Sequence, residues 1–157
     1  MSFEAAAQTA GLLPQAGKQA IEHKYRNCVE LSHGIQFTHS IDVDAHFQAT
    51  EPNANRWDYG VGLRQGATHF AIWIEPHGAT SSSEVDKVVA KVSWLKTKLR
   101  LDPWTQLSGL TEATKQRGVQ QFWWLVPGTV SFRPGSKEDK KLAQSGMKMP
   151  TKKIVIR

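Results

Sequence analysis

The sequence contains a single cysteine, Cys28, which has no partner for an internal disulfide. This scarcity also excludes zinc and iron–sulfur sites that need several cysteine ligands. No apolar run reaches the roughly 18 residues of a membrane-spanning helix, and the chain has no glycine-rich phosphate loop. Its first residues lack the basic region and long apolar core of a secretory signal. These absences predict a cytoplasmic protein without a membrane partner.

Negative charge is also scarce. Lys and Arg outnumber Asp and Glu by 20 to 14, which leaves a formal net charge of +6. A basic protein attracts polyanions, so nucleic acid is the expected class of partner. With 39% hydrophobic residues the chain can build one core, and we expect residues 1–157 to form a single domain. The sequence leaves open DNA versus RNA, and whether the chain forms a homo-oligomer.

The first half of the chain carries one helical and three strand patterns. The apolar helical stripe comprises Ile21, Tyr25, Cys28, Val29 and Ser32. It predicts a first helix that ends at Gly34. Alternation in "IQFTHSIDV" and again in "RWDYGVGLR" predicts two half-buried strands. Gly66 then predicts a tight hairpin into "HFAIWIEPH", whose two apolar faces are typical of an interior strand.

A long helix follows this strand. Ser81 and Glu84 have the spacing of a capping box, and Asp102-Pro103 would end the helix. Its apolar stripe comprises Val85, Val88, Val89, Val92, Leu95 and Leu99. The other side, predicted to be exposed, carries Lys87, Lys91, Trp94 and Lys98. Beyond it we expect a polar helical or irregular piece, an apolar strand in "QFWWLVP", a hairpin-like return in "TVSFRPG", a short charged helix and a last strand in "KKIVIR".

This order predicts an α/β fold with a mixed central sheet flanked by helices. Asp58 lies in the second strand, and Glu75 and His77 end the third. With these residues the first two-thirds of the chain resembles the PD-(D/E)XK nuclease superfamily. The resemblance implies a restriction-endonuclease-like α-β-β-β-α-β core with C-terminal additions. It also implies metal-dependent phosphodiester hydrolysis of nucleic acid, with Mg²⁺ as the cofactor and Asp58 and Glu75 as its oxygen ligands.

Two residues depart from the superfamily motif. His77 stands where the superfamily has Lys, and as a catalytic candidate it could still assist a water or contact a phosphate. Pro76 removes a backbone donor from an inner strand. Because some members take the lysine from the following helix, Lys91 is the candidate for that role. The resemblance adds Glu22 as a helical ligand to the metal, although Glu22 could instead be an exposed ion-pair partner.

Lys87, Trp94 and Lys98 complete the candidate set as nucleic-acid contacts. Trp94 lies among lysines on the predicted exposed face, where its ring could stack on a base or cover a C-terminal segment. The alternative function is a catalytically inactive nucleic-acid-binding or protein-interaction module on the same fold, which His77 and Pro76 favour. If the metal site exists, the Asp58 and Glu75 carboxylates should lie on one face of the sheet, within roughly 4–6 Å of each other.

Overall fold

A five-stranded mixed sheet runs through the computed structural model, which describes residues 1–157. The helices are α1 (Phe3–Thr9), α2 (His23–Arg26), α3 (Val43–Phe47), α4 (Ser82–Leu99), α5 (Thr105–Gln116) and α6 (Lys137–Gln144), with a 3-10 turn at Asp102–Trp104. The strands are β1 (Gln15–Ala16), β2 (Val29–Leu31), β3 (Ile35–Asp42), β4 (Tyr59–Gln65), β5 (Thr68–Pro76), β6 (Phe122–Leu125) and β7 (Ile154–Ile156). None of these helices has the length and apolar composition needed to cross a membrane.

The large sheet has the order β1-β3-β4-β5-β6. Strands β3, β4 and β5 form an antiparallel meander, and β6 then pairs with β5 in parallel. The parallel pairing requires a crossover, which α4 and α5 supply. Gly66 adopts a φ of 59° in the turn between β4 and β5, a conformation that glycine adopts readily. The predicted meander, the hairpin and the mixed sheet flanked by helices are confirmed, but β4 is buried on both faces from Tyr59 to Leu63 and is not half-buried.

Strand β5 lies between β4 and β6, as predicted for an interior strand. Its buried side chains alternate between two cores: Ala71 and Trp73 pack towards α4 and α5, whereas Phe70, Ile72 and Ile74 pack on the other face. Strand β6 pairs with β5 only from Trp73 onward. Before Trp73, where β5 has no β6 partner, the Thr114 hydroxyl of α5 accepts a hydrogen bond from the Ala71 N–H at 3.1 Å. Helix α5 therefore covers the part of β5 that β6 does not reach.

The two faces of the sheet are covered differently. Helices α1, α4, α5 and α6 pack on one face in a core that includes Trp57, Trp73 and Trp124, all fully buried. The second face is covered by a smaller core around the two-stranded sheet of β2 and β7. Four tryptophans lie in the segments with strand patterns, and three of them are thus core residues. The fourth, Trp123, is half-buried against the second core.

The predicted first helix around residues 18–32 is wrong. The segment contains only the one-turn helix α2, and Val29–Leu31 form strand β2, which pairs in parallel with β7. Val29 is β-branched, which favours a strand. The Ile154 N–H donates to the Cys28 carbonyl and the Ser32 N–H donates to the Ile156 carbonyl, both at 2.8 Å, so pairing with a distant strand overrides the helical periodicity. The helix that opens the fold is α1, where the Ser2 hydroxyl accepts a hydrogen bond from the Ala5 N–H at 3.1 Å. The hairpin-like return in "TVSFRPG" is also wrong, because Val130 makes only an isolated bridge to Ala79.

Candidate functional site

Two acidic residues lie side by side at one end of the large sheet. Asp58 comes just before β4, Glu75 lies near the end of β5, and the neighbouring pair Tyr59 and Ile74 fixes the register between the strands. The Asp58 backbone N–H donates a hydrogen bond to Glu75 Oε1 at 3.0 Å. Because side chains alternate along a strand, Glu75 shares a face with Trp73 and is directed towards α4. The hairpin register therefore places both carboxyl groups beneath one helix.

Lys91 of α4 reaches both of these carboxylates. Its Nζ lies 2.6 Å from Glu75 Oε2 and 3.8 Å from Asp58 Oδ1. Since one nitrogen contacts both oxygens, Asp58 and Glu75 lie on the same face of the sheet, as the resemblance required. The Lys91 side chain is only 20% exposed, so the expectation that it lies on an outer face is wrong. Its neighbours Val88 and Val92 are buried, and its aliphatic stem can lie along their apolar surface while the ammonium group meets the acids.

The two acids have unusual protonation behaviour. Burial raises the pKa of Glu75 to about 8, with a further contribution from the charge of Asp58, and Lys91 only partly offsets both effects. Burial likewise raises the pKa of Asp58 to about 6. Burial alone would lower the pKa of Lys91. The neighbouring carboxylates of Glu75 and Asp58 have the larger combined effect, so the pKa of Lys91 is raised. One ammonium group therefore serves two carboxyl groups that water cannot solvate fully.

His77 and Glu84 form the wall of the site next to Glu75. The His77 Nδ1 atom lies 3.9 Å from Glu75 Oε2, and its Nε2 lies against Glu84 Oε2. The backbone of His77 is fixed, because its N–H donates to the Leu125 carbonyl at 3.0 Å and its carbonyl accepts from Trp124 Nε1 at 2.7 Å. Burial, followed by the charge of Lys91, lowers the pKa of His77, so its imidazole is neutral at pH 7.

Pro76 and Ser81 fit this arrangement. Pro76 is the last residue of β5, opposite Leu125, so its missing N–H interrupts the ladder only at its end. The Ser81 and Glu84 spacing predicted a capping box, but the Ser81 side chain makes no capping hydrogen bond. Glu84 contacts His77 instead. Glu84 is therefore a site residue that sequence analysis missed, because its spacing from Ser81 indicated a capping role.

The expected ligand Glu22 is not part of this site. It precedes α2, with its side chain 56% exposed and its carboxylate 3.7 Å from Lys24 Nζ. Its backbone N–H contacts the hydroxyl of Tyr59, which belongs to the core on the opposite face of the sheet. Because the first helix does not form, Glu22 cannot reach the face that carries Glu75.

Two of the three side chains predicted to lie exposed on α4, Trp94 and Lys98, are half-buried instead. Trp94 Nε1 donates to Glu51 Oε1 at 3.0 Å, and Lys98 contacts the other oxygen of Glu51 and lies 4.3 Å from the centroid of the Phe47 ring. Lys87 is 59% exposed but lies 3.5 Å from Glu84. No sequence pattern pointed to Glu51, because it lies in the irregular segment between α3 and β4.

The second acidic cluster, at the end of β3, is structural. Asp42 caps α3 by accepting the Ala45 N–H at 2.9 Å, and Asp44 pairs with Arg56 at 2.8 Å. No group of three or more Asp, Glu, His or Cys side chains in the structure is arranged to hold a metal ion. Any hard cation at the candidate site would therefore depend on two carboxylates and on oxygens from water or a ligand.

The arrangement at the sheet end is thus one buried and one half-buried carboxyl group that share one lysine, beside a neutral imidazole. A site of this composition can hold a divalent cation, exchange protons near neutral pH and stabilise an anion. No family model, no curated protein and no solved structure matches the chain.

Proposed function

We propose that this protein hydrolyses phosphodiester bonds in nucleic acid, with Asp58, Glu75 and Lys91 as its reacting centre. The observation that carries the proposal is the contact of one half-buried lysine with two acids from adjacent strands. The fold supports it, since a three-strand meander followed by a helical crossover to a parallel strand is the restriction-endonuclease-like order. On this proposal Lys91 takes the role of the motif lysine and His77 does not.

The donor set fits Mg²⁺. Hard carboxylate oxygens are the ligands that this cation prefers, together with water and phosphate oxygens. Burial raises the pKa of Asp58 even though Lys91 is close, so a bound cation would help to stabilise the deprotonated pair. When bound, Mg²⁺ would polarise a phosphate oxygen and make a bound water more acidic. Asp58 and Glu75 would hold it, with both carboxyl groups deprotonated.

The other side chains of the site have separate roles in this proposal. Lys91 supplies a permanent positive charge, which stabilises the negative charge that accumulates on the phosphate oxygens as water attacks phosphorus. The P–O bond to the leaving oxygen then breaks, and that oxygen takes a proton from solvent water. His77, neutral and pinned by its backbone, is placed beside Glu75 and can accept the proton that the attacking water loses. Glu84 orients the imidazole.

The proposal is tested by incubating labelled DNA and RNA with the purified protein and Mg²⁺ or Mn²⁺. Cleavage is expected from the native protein and should fall by at least 100-fold in Asp58→Asn and Glu75→Gln. Glu22→Gln is the matched control, because it removes the same charge from the opposite face of the sheet and should retain full activity. Absence of cleavage of either nucleic acid by the native protein, or equal losses in Glu22→Gln and Glu75→Gln, would contradict the proposal.

A second candidate function is a nucleic-acid-binding module without catalysis. The internal pairing of Lys91 with both acids favours it, because the three side chains satisfy one another without a metal. Divalent-metal binding separates the two functions. The nuclease should bind Mn²⁺ and lose that binding in Asp58→Asn, whereas a binding module should show no metal affinity that depends on Asp58.

A further inference from the structure

A basic groove surrounds the 118–121 loop at the edge of the sheet. Three adjoining cavities of 410, 430 and 220 Å³ form it. The first two share Gly118, Val119, Gln120 and Lys148, and the last two share Lys96, Gln121 and Phe122. Six basic residues line the basic groove: Lys96, Arg100, Lys115, Lys148, Lys153 and Arg157. They come from α4, α5 and the segment around β7, so the fold brings these charges together from distant parts of the sequence.

The charges of the basic groove are almost uncompensated. Glu112 is the one acidic residue in its lining, and Lys153 is the one lining cation with an ion-pair partner, Glu30 at 3.1 Å. Lys96 donates instead to the Ser145 carbonyl at 2.6 Å. Burial lowers the pKa of Lys96, and the neighbouring charges of Arg100 and Lys115 lower it further. Repulsion among these cations would be relieved by a bound polyanion.

The face of α4 that the sequence assigned to nucleic acid is different. There Lys87, Lys91 and Lys98 each contact a carboxylate. Local charge on that face is therefore close to balanced. The excess positive charge of the chain is concentrated instead in the basic groove, which is the surface best able to attract phosphates.

We propose that the basic groove binds the backbone of a nucleic acid strand through its phosphates. A row of three cavities suits a chain of anions better than a single one. The exposed large apolar residues of the protein are Met1, Leu13 and Leu101, and none of them lines the groove, so it lacks the apolar anchors of a membrane-binding surface. The inference rests on the proposed function only in taking nucleic acid as the polyanion.

The groove and the candidate catalytic site lie towards opposite ends of β6. Phe122, which lines the groove, pairs with Trp73, whereas Trp124 pairs with Glu75. Phe122 and Trp124 are two residues apart along β6, so the groove and the candidate site are offset by roughly 7 Å along the strand. Different side chains would then bind the nucleic acid and cleave it, so mutations can remove binding or cleavage separately.

Binding is tested in EDTA, which prevents cleavage, with fluorescent single-stranded and duplex oligonucleotides over a range of salt concentrations. The groove variant is Arg100→Gln/Lys115→Gln/Lys148→Gln, and the control is Lys24→Gln/Lys137→Gln/Lys140→Gln, which removes the same charge from exposed positions elsewhere. The groove variant should bind at least 10-fold more weakly at 0.1 M salt. Its slope of log K against log salt should fall by about 2 to 3, since each lost phosphate contact contributes about 0.7 to 0.9. The control should keep the native slope.

Three results would overturn the inference: no measurable binding by the native protein, equal losses in the groove and control variants, or tighter binding of polyglutamate or anionic vesicles than of an oligonucleotide. Glu22→Gln should bind like the native protein, because Glu22 lies outside both the groove and the candidate site. A failure of cleavage with intact groove binding would contradict the proposed hydrolysis alone. Cleavage that persists in the groove variant at low salt, with unchanged binding, would contradict the groove alone.

Discussion

Replacing Lys91 by Met tests the electrostatics of the site most directly. Methionine keeps most of the length and apolar character of lysine but removes the charge that Glu75 and Asp58 share. Glu75 is fully buried, and removing one partner of a buried ion pair typically costs about 3 to 5 kcal/mol. That cost applies only while the remaining acid is charged. Because the pKa of Glu75 is already raised to about 8, Glu75 can take up a proton and so avoid the cost of an unpaired buried charge.

The sign of the pH dependence follows from proton linkage. Glu75 has a higher pKa in the folded protein than its ordinary value of 4.5, so folding takes up a proton between these values. The free energy of unfolding of the native protein therefore decreases as pH rises through this range, by up to about 1.4 kcal/mol per pH unit for each such proton. Without Lys91 the pKa of Glu75 is higher still, and the decrease continues above pH 8.

Lys91→Met should thus be close to the native protein in stability at pH 5.5 and less stable by about 1 to 3 kcal/mol at pH 9. Urea unfolding followed by tryptophan fluorescence at several pH values measures both quantities. Lys87→Met is the control on the same helix, and its exposed position predicts a change within about 0.5 kcal/mol at either pH. If Lys91→Met lowers the free energy of unfolding equally at pH 5.5 and pH 9, Lys91 does not stabilise the charged forms of Glu75 and Asp58, and the reasoning is refuted.

Three further predictions follow from the same geometry. Mn²⁺ binding should strengthen between pH 6 and pH 8 and release protons, since Asp58 and Glu75 must lose them; calorimetry in buffers of different ionisation enthalpy measures the release, and binding without proton release would contradict the raised pKa values. His77→Lys should restore part of the cleavage lost in Lys91→Met, because His77 Nδ1 lies 3.9 Å from Glu75 Oε2; a double variant as inactive as Lys91→Met would contradict this. Gly60→Ala should destabilise the fold by about 1 to 3 kcal/mol, because its Cβ would lie 2.6 Å from the Trp73 ring; urea unfolding measures the loss, and native stability would contradict the close packing.

The central meander was predictable because local patterns determine it. Strict alternation gave β3 and β4, and two apolar faces gave β5 as an interior strand. With a tight turn at Gly66, the register of the hairpin follows by counting, and it places Asp58 next to Glu75. This part of the candidate site therefore depends only on residues close in sequence.

The parts that failed depend on distant partners. Lys91 and Lys98 lie on the side of α4 with fewer apolar residues, which alone predicts exposure, but Glu75 and Glu51 draw both lysines inward. The predicted first helix failed because Val29 and Leu31 pair with β7, near the other end of the chain. The basic groove was missed for the same reason, since its charges converge only after α4, α5 and the β7 segment have packed.

The pairing of β2 with β7 also has a kinetic meaning. Val29 and its partner Ile154 are 125 positions apart (154 − 29). Closing so long a loop costs more entropy than closing the loops of the meander, so we expect this pairing to form late. Helices α1, α4 and α5 can cover their side of the sheet earlier, so the other side, with Ile72 and Ile74, remains uncovered until residues 154–156 arrive. An apolar surface exposed in this way would favour aggregation during biosynthesis, and we expect a chaperone that shields it to raise the yield of native protein.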